Sequence, residues 1–492
     1  MKKLFIIYGV KRSIILLFIS AFLIRLISLN QSLWLDEAIT AVSISKFSFT
    51  EIVTTFSPND FHPPLFYLFI KLWTGIFGTS EIALRMPSVL FSLLTGYVIY
   101  HIGIRFLDFA RNEKYTRSFA KAQDDKIGFW SAAFFLFNPL IVYYSQEARM
   151  YMMATFFIVV NFYLYLQLRE KRTVMLSILF MITILFCMMT FYGSIFYIGT
   201  LIMYAVLKKE FKIMLLSSAG LFGSLVLLYP LLSVQMQHSG VVLQTVKNWD
   251  LTLGTVTIKQ LVLFPIKFAT GRISFEPKYV YFFIGGVWTA FLSLVLFRGI
   301  TSSTSSPRND KETESLDPLR MTMVFFTIVP LILGIIISFH TPLLQYFRFQ
   351  FVLIFLSLLL GITSYKLVKI RTILLSGLLI WSCYYLLFPA YHREDWKSLA
   401  AVIVMQHKPV YIVSSSTDPI TYYVPATQTR SLKSLETQIP QDPSIMIIPY
   451  TADIHGIEYK KNISTYFELV ESNHVRGITY EIWNKIKTYA VK

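Results

Sequence analysis

The sequence predicts a polytopic α-helical membrane protein of about eleven spans that ends in a small α/β domain. Hydrophobic residues make up 55% of the chain and charged residues only 15%, whereas a soluble protein carries about 25% charged residues. Apolar runs close to the roughly 20 residues that cross a bilayer recur up to about residue 389 and then stop. The composition and these runs predict the membrane part, and their end predicts the separate domain.

The spans follow one another from the N-terminus with short polar connections. They are predicted at 13–30, 84–106, 128–144, 150–168, 173–189, 191–207, 213–233, 279–297, 321–339, 343–363 and 372–388. The apolar stretch 62–78 is predicted to lie along the membrane surface, because it is short, begins with Pro63-Pro64 after His62 and contains Lys71. If it crossed the bilayer, the excess of Lys and Arg would move to the outer loops, against the positive-inside rule.

The distribution of Lys and Arg among the loops predicts that the N-terminus is cytoplasmic. The protein is predicted to lie in the plasma or inner membrane of the cell. Residues 31–83 and 234–278 are then two long outer loops, while 107–127 and 298–320 are cytoplasmic. The second cytoplasmic loop contains a Ser/Thr-rich stretch, 301–307, which is typical of a flexible linker. The apolar stretch after Met1 has no small-residue cleavage site, so it is predicted to be a retained helix rather than a signal peptide.

Residues 390–492 form the predicted C-terminal domain, and residues 1–389 the transmembrane domain. The tail alternates a helix at 396–406, strands at 410–414 and 444–450, and a strand pair near 467–484. An odd number of spans places this domain outside the cell. We expect it to dock the acceptor rather than to perform chemistry, because the candidate acids lie elsewhere in the chain.

The formal charge of +17 does not indicate a nucleic-acid partner. The basic residues fall mostly in short loops between apolar segments, as a topology signal does, whereas nucleic-acid binding gathers them on one soluble face. Cys187 and Cys383 both lie inside apolar runs, so no disulfide framework is indicated.

Two acidic positions at the predicted outer surface stand out. Asp36 and Glu37 follow the first span and an interfacial aromatic residue, Trp34. Adjacent carboxylates at a bilayer edge are costly, so they indicate a general base where water meets lipid; the simpler interpretation is a solvated helix end. Glu147 lies in the turn between the third and fourth spans, where it and Arg149 could instead form only a local ion pair.

Two further side chains are candidates for binding. His62 precedes Pro63-Pro64 and could bind a metal or a phosphate, or could only start an interfacial helix. Arg348 opens a span from the outside and could snorkel to the interface or grip a lipid phosphate with its guanidinium group. The sequence contains no glycine-rich phosphate loop and no zinc-type Cys/His spacing.

An ordered set of motifs resembles the bacterial branch of the protein-mannosyltransferase-like family, in the glycosyltransferase C superfamily. The matching segments are Leu33-Trp34-Leu35-Asp36-Glu37, Phe61-His62-Pro63-Pro64-Leu65-Phe66-Tyr67, Ser80-Glu81-Ile82-Ala83-Leu84-Arg85-Met86-Pro87-Ser88, Asn138-Pro139-Leu140, Ser145-Gln146-Glu147-Ala148-Arg149-Met150-Tyr151, Phe347-Arg348-Phe349 and Arg393-Glu394-Asp395-Trp396. They cover most of residues 1–160 and, more sparsely, 340–400. Each segment alone is a weak signal, and their common order is a strong one.

The resemblance implies an enzyme that transfers a sugar, with inversion, from a polyprenyl-phosphate carrier to a lipid, glycan or protein acceptor on the outer face. It implies Asp36 as the base, Glu37 in a supporting role and Glu147 as the second acid. The implied substrate-binding residues are His62, Arg85, Gln146, Arg149, Tyr151, Tyr346 and Arg348.

The resemblance leaves the cofactor open. The related aminoarabinose transferases have an acidic metal ligand where this chain has His62, so a divalent metal held by His62 and Glu147 is one option and no cofactor is the other. The tyrosine that usually follows the family's arginine is here Phe349, which departs from the pattern.

Two other classes of protein compete with the enzyme. A transporter or lipid flippase places ionisable residues near the bilayer midplane, often in two repeated halves. Here the acids gather at one predicted surface, and the sequence shows no internal repeat. An anchored scaffold whose tail binds a partner would leave the ordered motifs unexplained. The membrane glycosyltransferase is therefore the leading hypothesis.

Overall fold

The computed structural model describes residues 2–110, 117–249, 253–301 and 311–486. Six helices in these ranges are long and apolar enough to cross a membrane, or seven if one bent pair counts as a single span. The protein is therefore a mostly helical, multi-pass membrane protein. Most of the predicted linker at 301–307, the loop residue Asp250 and the C-terminal residues 487–492 lie outside the described ranges.

The membrane part consists of helices joined by mostly short connections. They are α1 (Lys2–Leu26), α2 (Leu35–Lys46), α3 (Leu65–Phe77), α4 (Glu81–Ala110), α5 (Arg117–Leu136), α6 (Pro139–Ser145), α7 (Tyr151–Glu170), α8 (Val174–Thr190), α9 (Ile195–Leu207), α10 (Phe211–Thr245), α11 (Ile258–Thr270), α12 (Lys278–Thr301), α13 (Lys311–Ser338), α14 (Val352–Ser364) and α15 (Val368–Leu387). Residues 49–59 form three shorter pieces, Phe49–Glu51, a π-helical turn Ile52–Phe56, and Ser57–Asn59.

The number of spans remains a prediction. The six long helices correspond to predicted spans, and so does the bent pair at 128–144. The predicted spans 173–189, 191–207 and 343–363 fall on shorter apolar helices, and 13–30 falls on α1. The stretch predicted to lie along the membrane surface is the 13-residue helix α3.

Several predicted loops are partly helical, which corrects the boundaries. Helix α10 continues to Thr245, and α11 occupies much of the rest of the predicted loop 234–278. Helix α5 begins at Arg117 inside the predicted loop 107–127, because its first turns contain good helix formers such as alanine, lysine and glutamine. The predicted span 343–363 starts as a 3₁₀ turn, Tyr346–Phe349, before α14.

A break at Asn138-Pro139 turns the chain by 62° between α5 and α6. The Asn138 side chain accepts hydrogen bonds from the amides of Leu140 and Ile141, and its amide group donates to the carbonyl of Phe268. Pro139 occupies the first helical position, where its missing N–H costs nothing. This local sequence therefore starts a new helix in a new direction and directs the following turn, which holds Glu147.

Close contacts join α1, α4 and α5. A Cβ atom on Gly103 of α4 would lie 2.5 Å from the Cα of Gly128 in α5, so these two helices touch through their backbones. Arg25, buried in α1, donates to the Ser92 hydroxyl of α4 at 2.9 Å and to the Leu136 carbonyl of α5 at 2.7 Å. In contrast, α10 and α12 expose large apolar side chains on their outer surfaces, as a lipid environment allows.

The C-terminal domain contains a five-stranded sheet with helices on both faces. Its elements are α16 (Trp396–Gln406), β1 (Val410–Ile412), α17 (Asp418–Tyr423), β2 (Thr429–Ser431), β3 (Ser444–Ile448), α18 (Ala452–His455), α19 (Tyr459–Ile463), β4 (Phe467–Val475) and β5 (Ile478–Lys485). The strand order is β2-β1-β3-β5-β4; β1 is parallel to β2 and β3, and β5 is antiparallel to β3 and β4. The predicted helix and four strands are confirmed, whereas the three-residue β2 has no sequence pattern that predicts it.

The C-terminal domain docks on the segment between α1 and α4 and on the end of α10. The hydroxyl of Tyr423 accepts a hydrogen bond from the amide of Leu33 at 2.8 Å, and Lys397 forms an ion pair with Glu81 at 3.0 Å. Near the end of α10, the side chain of Asn248 donates to the carbonyl of Asp453. The domain is thus held against the same end of the membrane part that carries Asp36.

Candidate functional site

The first turn of α2 separates the two adjacent carboxylates. Successive residues of an α-helix point about 100° apart. The Glu37 side chain turns into the protein and is fully buried, whereas the Asp36 side chain faces a cleft and keeps 33% of its surface exposed. Only Asp36 of the pair is therefore open to a substrate.

Glu37 is held by a closed set of hydrogen bonds. Arg85 donates to both of its carboxylate oxygens, at 2.8 and 2.6 Å, and the amide of Ala148 donates at 2.8 Å. Arg85 gives its remaining donors to backbone carbonyls of Leu29, Gln31 and Ser32. Burial disfavours the charged form of Glu37, but the charge and hydrogen bonds of Arg85 outweigh it, so the pKa of Glu37 is lowered. The pair fixes the entry into α2.

Replacing Glu37 with glutamine is expected to lower the free energy of unfolding by about 3–5 kcal/mol, because Arg85 would stay buried without its counter-charge. The folded-state pKa of Glu37 is below the unfolded value. The stabilisation by the Glu37 carboxylate is therefore fully present at pH values above the unfolded-state pKa. It is lost as the pH falls through the folded-state pKa. The measurement is the thermal unfolding midpoint of the purified protein in detergent. The control is Glu276→Gln, an exposed substitution that loses only a surface ion pair with Lys278. A Glu37→Gln midpoint equal to that of the wild-type protein would contradict the expectation.

Asp36 belongs to a row of alternating charges. A guanidinium nitrogen of the buried Arg149 lies 3.6 Å from its carboxylate. The same guanidinium group lies 3.4 Å from both ring nitrogens of His62 and donates to the hydroxyl of Tyr67 at 3.2 Å. Asp60 completes the row, because its carboxylate accepts from Tyr67 at 2.7 Å and contacts His62 Nδ1 at 3.2 Å.

Asp60 is a firmly ionised member of this row. Burial disfavours its charge, but His62, Arg149 and the hydrogen bond from Tyr67 more than compensate and lower its pKa to about 2. Its loop is anchored by Gln235 of α10, whose amide group donates to the carbonyls of Ser57, Asp60 and His62. The sequence analysis did not identify Gln235, since a lone glutamine near the end of an apolar run carries no specific signal.

A second cluster lies beside Trp34 and contains two arginines that were not among the predicted site residues, although Arg393 begins one of the matching segments. The Arg393 guanidinium group lies 4.8 Å from the ring centroid of Trp34 and 4.4 Å from that of Tyr143. Arg272 lies against the same two rings, at 5.9 and 5.4 Å. Arg272 is exposed to solvent, so its guanidinium group is open to a ligand.

Arg393 and Glu147 are the buried part of this cluster. One Arg393 nitrogen lies 2.8 Å from a Glu147 carboxylate oxygen, and the two side chains are 2% and 1% exposed. The contact is poorly aligned: among the described residues, no guanidinium N–H of Arg393 and neither carboxylate oxygen of Glu147 has a hydrogen-bond partner of good geometry. Burial raises the pKa of Glu147 despite the opposing charge of Arg393. Arg272 and Arg393 thus bring two guanidinium groups to a single carboxyl group, that of Glu147. This cluster favours the binding of an additional anion.

The position of Arg272 follows from its neighbour Gly271. Gly271 ends α11 with φ +72°, a conformation that glycine adopts without strain. A Cβ atom there would also lie 3.0 Å from backbone and side-chain carbons of Pro139. The helix end therefore sits directly on the Asn138-Pro139 break and turns the next residue, Arg272, towards Tyr143.

The remaining predicted site residues fall into two groups. The donors of Arg85 and Gln146 are used on the protein itself: the Gln146 amide group donates to the carbonyls of Arg25 and Ile27. Tyr151, Tyr346 and Arg348 form the second group, around Phe347. The rings of Tyr151 and Tyr346 pack against Phe347 at 5.5 and 5.8 Å, and Arg348 donates to the carbonyl of Leu253 at 3.1 Å.

The donor set does not fit a divalent metal held by His62 and Glu147. Among the described residues, no three His, Cys, Asp or Glu side chains are grouped to hold a metal ion. His62 instead faces the guanidinium group of Arg149. A second cation at His62 would be repelled at this distance.

The fold and the site together define a multi-pass membrane protein with an ionisable cleft at one end of its helices. A family model described as "GPI transamidase subunit PIG-U" matches residues 57–259, which is less than half of the chain. No curated protein matches this chain.

Solved structures with a similar arrangement include ArnT from Cupriavidus metallidurans. In the apo state its TM-score is 0.46 at 11% identity, and bound to undecaprenyl phosphate 0.43 at 13% identity. Each match covers 95% of this chain and 97% of the other.

Proposed function

We propose that this protein is an inverting membrane glycosyltransferase that moves a sugar from a polyprenyl-phosphate donor to an acceptor hydroxyl on the outer face of the membrane. The observation that carries the proposal is the pairing of an accessible carboxylate, Asp36, with the anion-favouring cluster around Arg272 and Arg393. Trp34 links the two, since it precedes Asp36 by two residues and packs against both arginines. A reaction that deprotonates one group and releases a phosphate needs these two functions side by side.

Asp36 is assigned the role of general base. A sugar hydroxyl is a poor nucleophile near neutral pH, so a positioned carboxylate must remove its proton as the new bond forms. The acceptor oxygen attacks the anomeric carbon, and the bond from that carbon to the carrier phosphate oxygen breaks. Arg149, whose guanidinium group lies 3.6 Å from the Asp36 carboxylate, orients that carboxylate.

Arg272 and Arg393 are assigned to the carrier phosphate, and Arg348 to its edge. Guanidinium groups match phosphate oxygens with paired hydrogen bonds, and they stabilise the charge that grows on the leaving group. Trp34 and Tyr143 hold both groups by cation–π contact before any ligand arrives. Glu147 then acts as a positioning residue for Arg393, and Glu37 and Arg85 position α2; none of these three touches the substrate in this proposal.

The proposal includes the eleven-span topology, with the C-terminal domain outside the cell. In a chain carrying Cys187→Ala and Cys383→Ala, Ser415→Cys is expected to react with a membrane-impermeant thiol reagent added to intact cells or spheroplasts. The control Lys171→Cys, in the predicted cytoplasmic loop between α7 and α8, should react only after the membrane is opened. Labelling of the Lys171→Cys variant alone in intact cells would reverse the topology and the placement of Asp36.

Mass spectrometry of surface glycolipids and glycoproteins, with and without this protein, tests the function. In cells without the protein, we expect one sugar unit to be missing from one class of surface molecule. The missing unit identifies the donor sugar, and the molecule that lacks it identifies the acceptor. A flippase would instead change the sidedness of a lipid whose sugars stay the same. The PIG-U description raises a subunit role as the second candidate, and transfer by the purified chain alone would reject it.

A further inference from the structure

The C-terminal domain contains a cavity of about 730 Å³ that the proposed reaction does not use. Its lining includes Tyr450, Asp453, Tyr459, Lys461, Gly477 and Thr479. The size lies within the range of about 300–1,000 Å³ that is usual for small-molecule sites. It lies where β3 ends and β5 begins, against α18 and α19.

The cavity lies beside a position in the sheet where α/β proteins bind ligands. The chain passes from β1 to β2 on one side and returns to place β3 on the other side of β1. The carboxyl ends of β1 and β3 therefore flank a topological switch point, and such crevices are the usual ligand sites of open parallel sheets. The cavity lies on the β5 side of this point. Thr451, which follows β3, adopts φ +63°, a strained conformation for a β-branched residue.

The chemistry of the lining favours a hydroxyl-rich ligand over an anion. Three carboxylates, Asp453, Glu458 and Glu481, face two ammonium groups, Lys460 and Lys461. Glu481 is committed to the protein, since it pairs with Lys460 at 2.7 Å and accepts from the hydroxyl of Tyr459. The charges nearly balance, unlike those of the arginine cluster around Trp34. Aromatic rings among hydrogen-bonding groups of both kinds suit a sugar, which presents apolar faces and many hydroxyls.

The cavity and the catalytic cleft share a wall. The Tyr450 hydroxyl, at the cavity, donates to the Glu394 carboxylate at 3.3 Å, and Glu394 follows Arg393 in the chain. A Cβ atom on Gly477 would lie 3.0 Å from the Glu394 side chain. The charges of Asp36 and Arg272 also act on the Tyr450 hydroxyl. Residues of the C-terminal domain therefore reach the edge of the reaction site.

The turn between β4 and β5 fixes this wall. Arg476 donates from Nε to the carbonyl of Arg393 at 2.8 Å, and its own carbonyl accepts from the amide of Asp395 at 2.9 Å. A ligand that contacts Gly477 and Tyr450 thus touches the same turn and ring that hold the Arg393 segment.

We propose that this cavity is the acceptor site and that its ligand is an uncharged saccharide. The proposal rests on the transferase function and names the acceptor chemistry. A saccharide seated on Tyr450 and Thr479 extends over the Glu394 wall and presents one hydroxyl to Asp36. The donor phosphate and the acceptor therefore occupy two separate sites, one positively charged and one nearly neutral.

The test measures binding without donor, so its result does not depend on catalysis. A panel of methyl glycosides and disaccharides of neutral hexoses and N-acetylhexosamines is titrated into the full-length protein in detergent. Binding is followed by saturation-transfer NMR and by tryptophan fluorescence, because the Trp483 indole donates to Glu481 beside the cavity. We expect saturable binding of at least one glycoside. It should weaken at least tenfold in Asp453→Asn and in the cavity-filling Thr479→Trp, but stay unchanged in the matched control Thr465→Trp, outside the cavity.

Failure of this proposal is distinguishable from failure of the proposed function. Absence of glycoside binding, binding of peptides instead, or undiminished binding in the Thr479→Trp variant would overturn the saccharide site. Once the donor is identified, the same two variants should raise the acceptor KM and leave the donor KM unchanged. Transfer that fails in the wild-type protein while glycosides still bind would reject the transferase and leave the binding result standing.

Discussion

Asp36→Asn is expected to abolish sugar transfer while the protein still inserts and folds. The substitution keeps the size of the side chain and removes the basic oxygen, and general-base assistance is typically worth about 10²–10⁴-fold in rate. Folding should survive, because Asp36 is one-third exposed and its side-chain contact with Arg149 is a long 3.6 Å. The measurement is the rate of transfer by purified protein at saturating donor and acceptor.

The matched control is Asp442→Asn, which changes the same residue type at the surface of the C-terminal domain, where it pairs with Arg430. This variant should keep the wild-type rate. Equal thermal midpoints for Asp36→Asn and wild type would separate a lost base from a lost fold. Wild-type activity in the Asp36→Asn protein would rule out Asp36 as the base.

Arg393→Ala is expected to weaken donor use more than any other single substitution in the cleft. Each hydrogen bond to a charged group contributes about 1.5–3 kcal/mol, so loss of one corresponds to a rise of about 10- to 150-fold in the donor KM. Trp34 and Tyr143 orient Arg393, so its loss also removes a guanidinium group that is already positioned. The measurement is donor dependence at saturating acceptor.

Two further variants sharpen this result. Arg393→Lys retains the charge but not the planar fork, so it should recover only part of the donor affinity. Arg430→Ala removes a guanidinium group of the same domain that pairs with Asp442 instead, and it should leave the donor KM unchanged. An unchanged donor KM in Arg393→Ala, with a raised acceptor KM, would indicate that Arg393 binds the acceptor rather than the donor.

Much of the fold follows from short-range sequence patterns. Apolar runs predict the long helices because backbone groups in lipid must be satisfied within the helix itself. The alternation of helix and strand after residue 389 predicts α16 and four strands of the sheet. Boundaries were less predictable: α10 continues to Thr245 and α5 begins at Arg117, because polar helix formers extend a helix beyond its apolar part.

The site shows the limit of local patterns. The sequence indicates that Asp36-Glu37 is important, and it does not indicate which carboxylate faces the cleft. That choice is made by Arg85, 48 residues away, which buries Glu37 and leaves Asp36 accessible. Since two neighbouring helix positions differ only in direction, their roles depend on what packs against each side.

What the sequence by itself determined is the membrane class, most helices, the separate α/β tail and the candidate acid Asp36. Only the tertiary structure brought Arg272 and Arg393 to Trp34, from segments more than 100 residues apart, and placed a cavity of the C-terminal domain next to them. Helix formation depends on contacts three or four residues apart, which a sequence displays directly. The charge balance of a cleft depends on which distant loops meet there, and packing of the whole chain decides that.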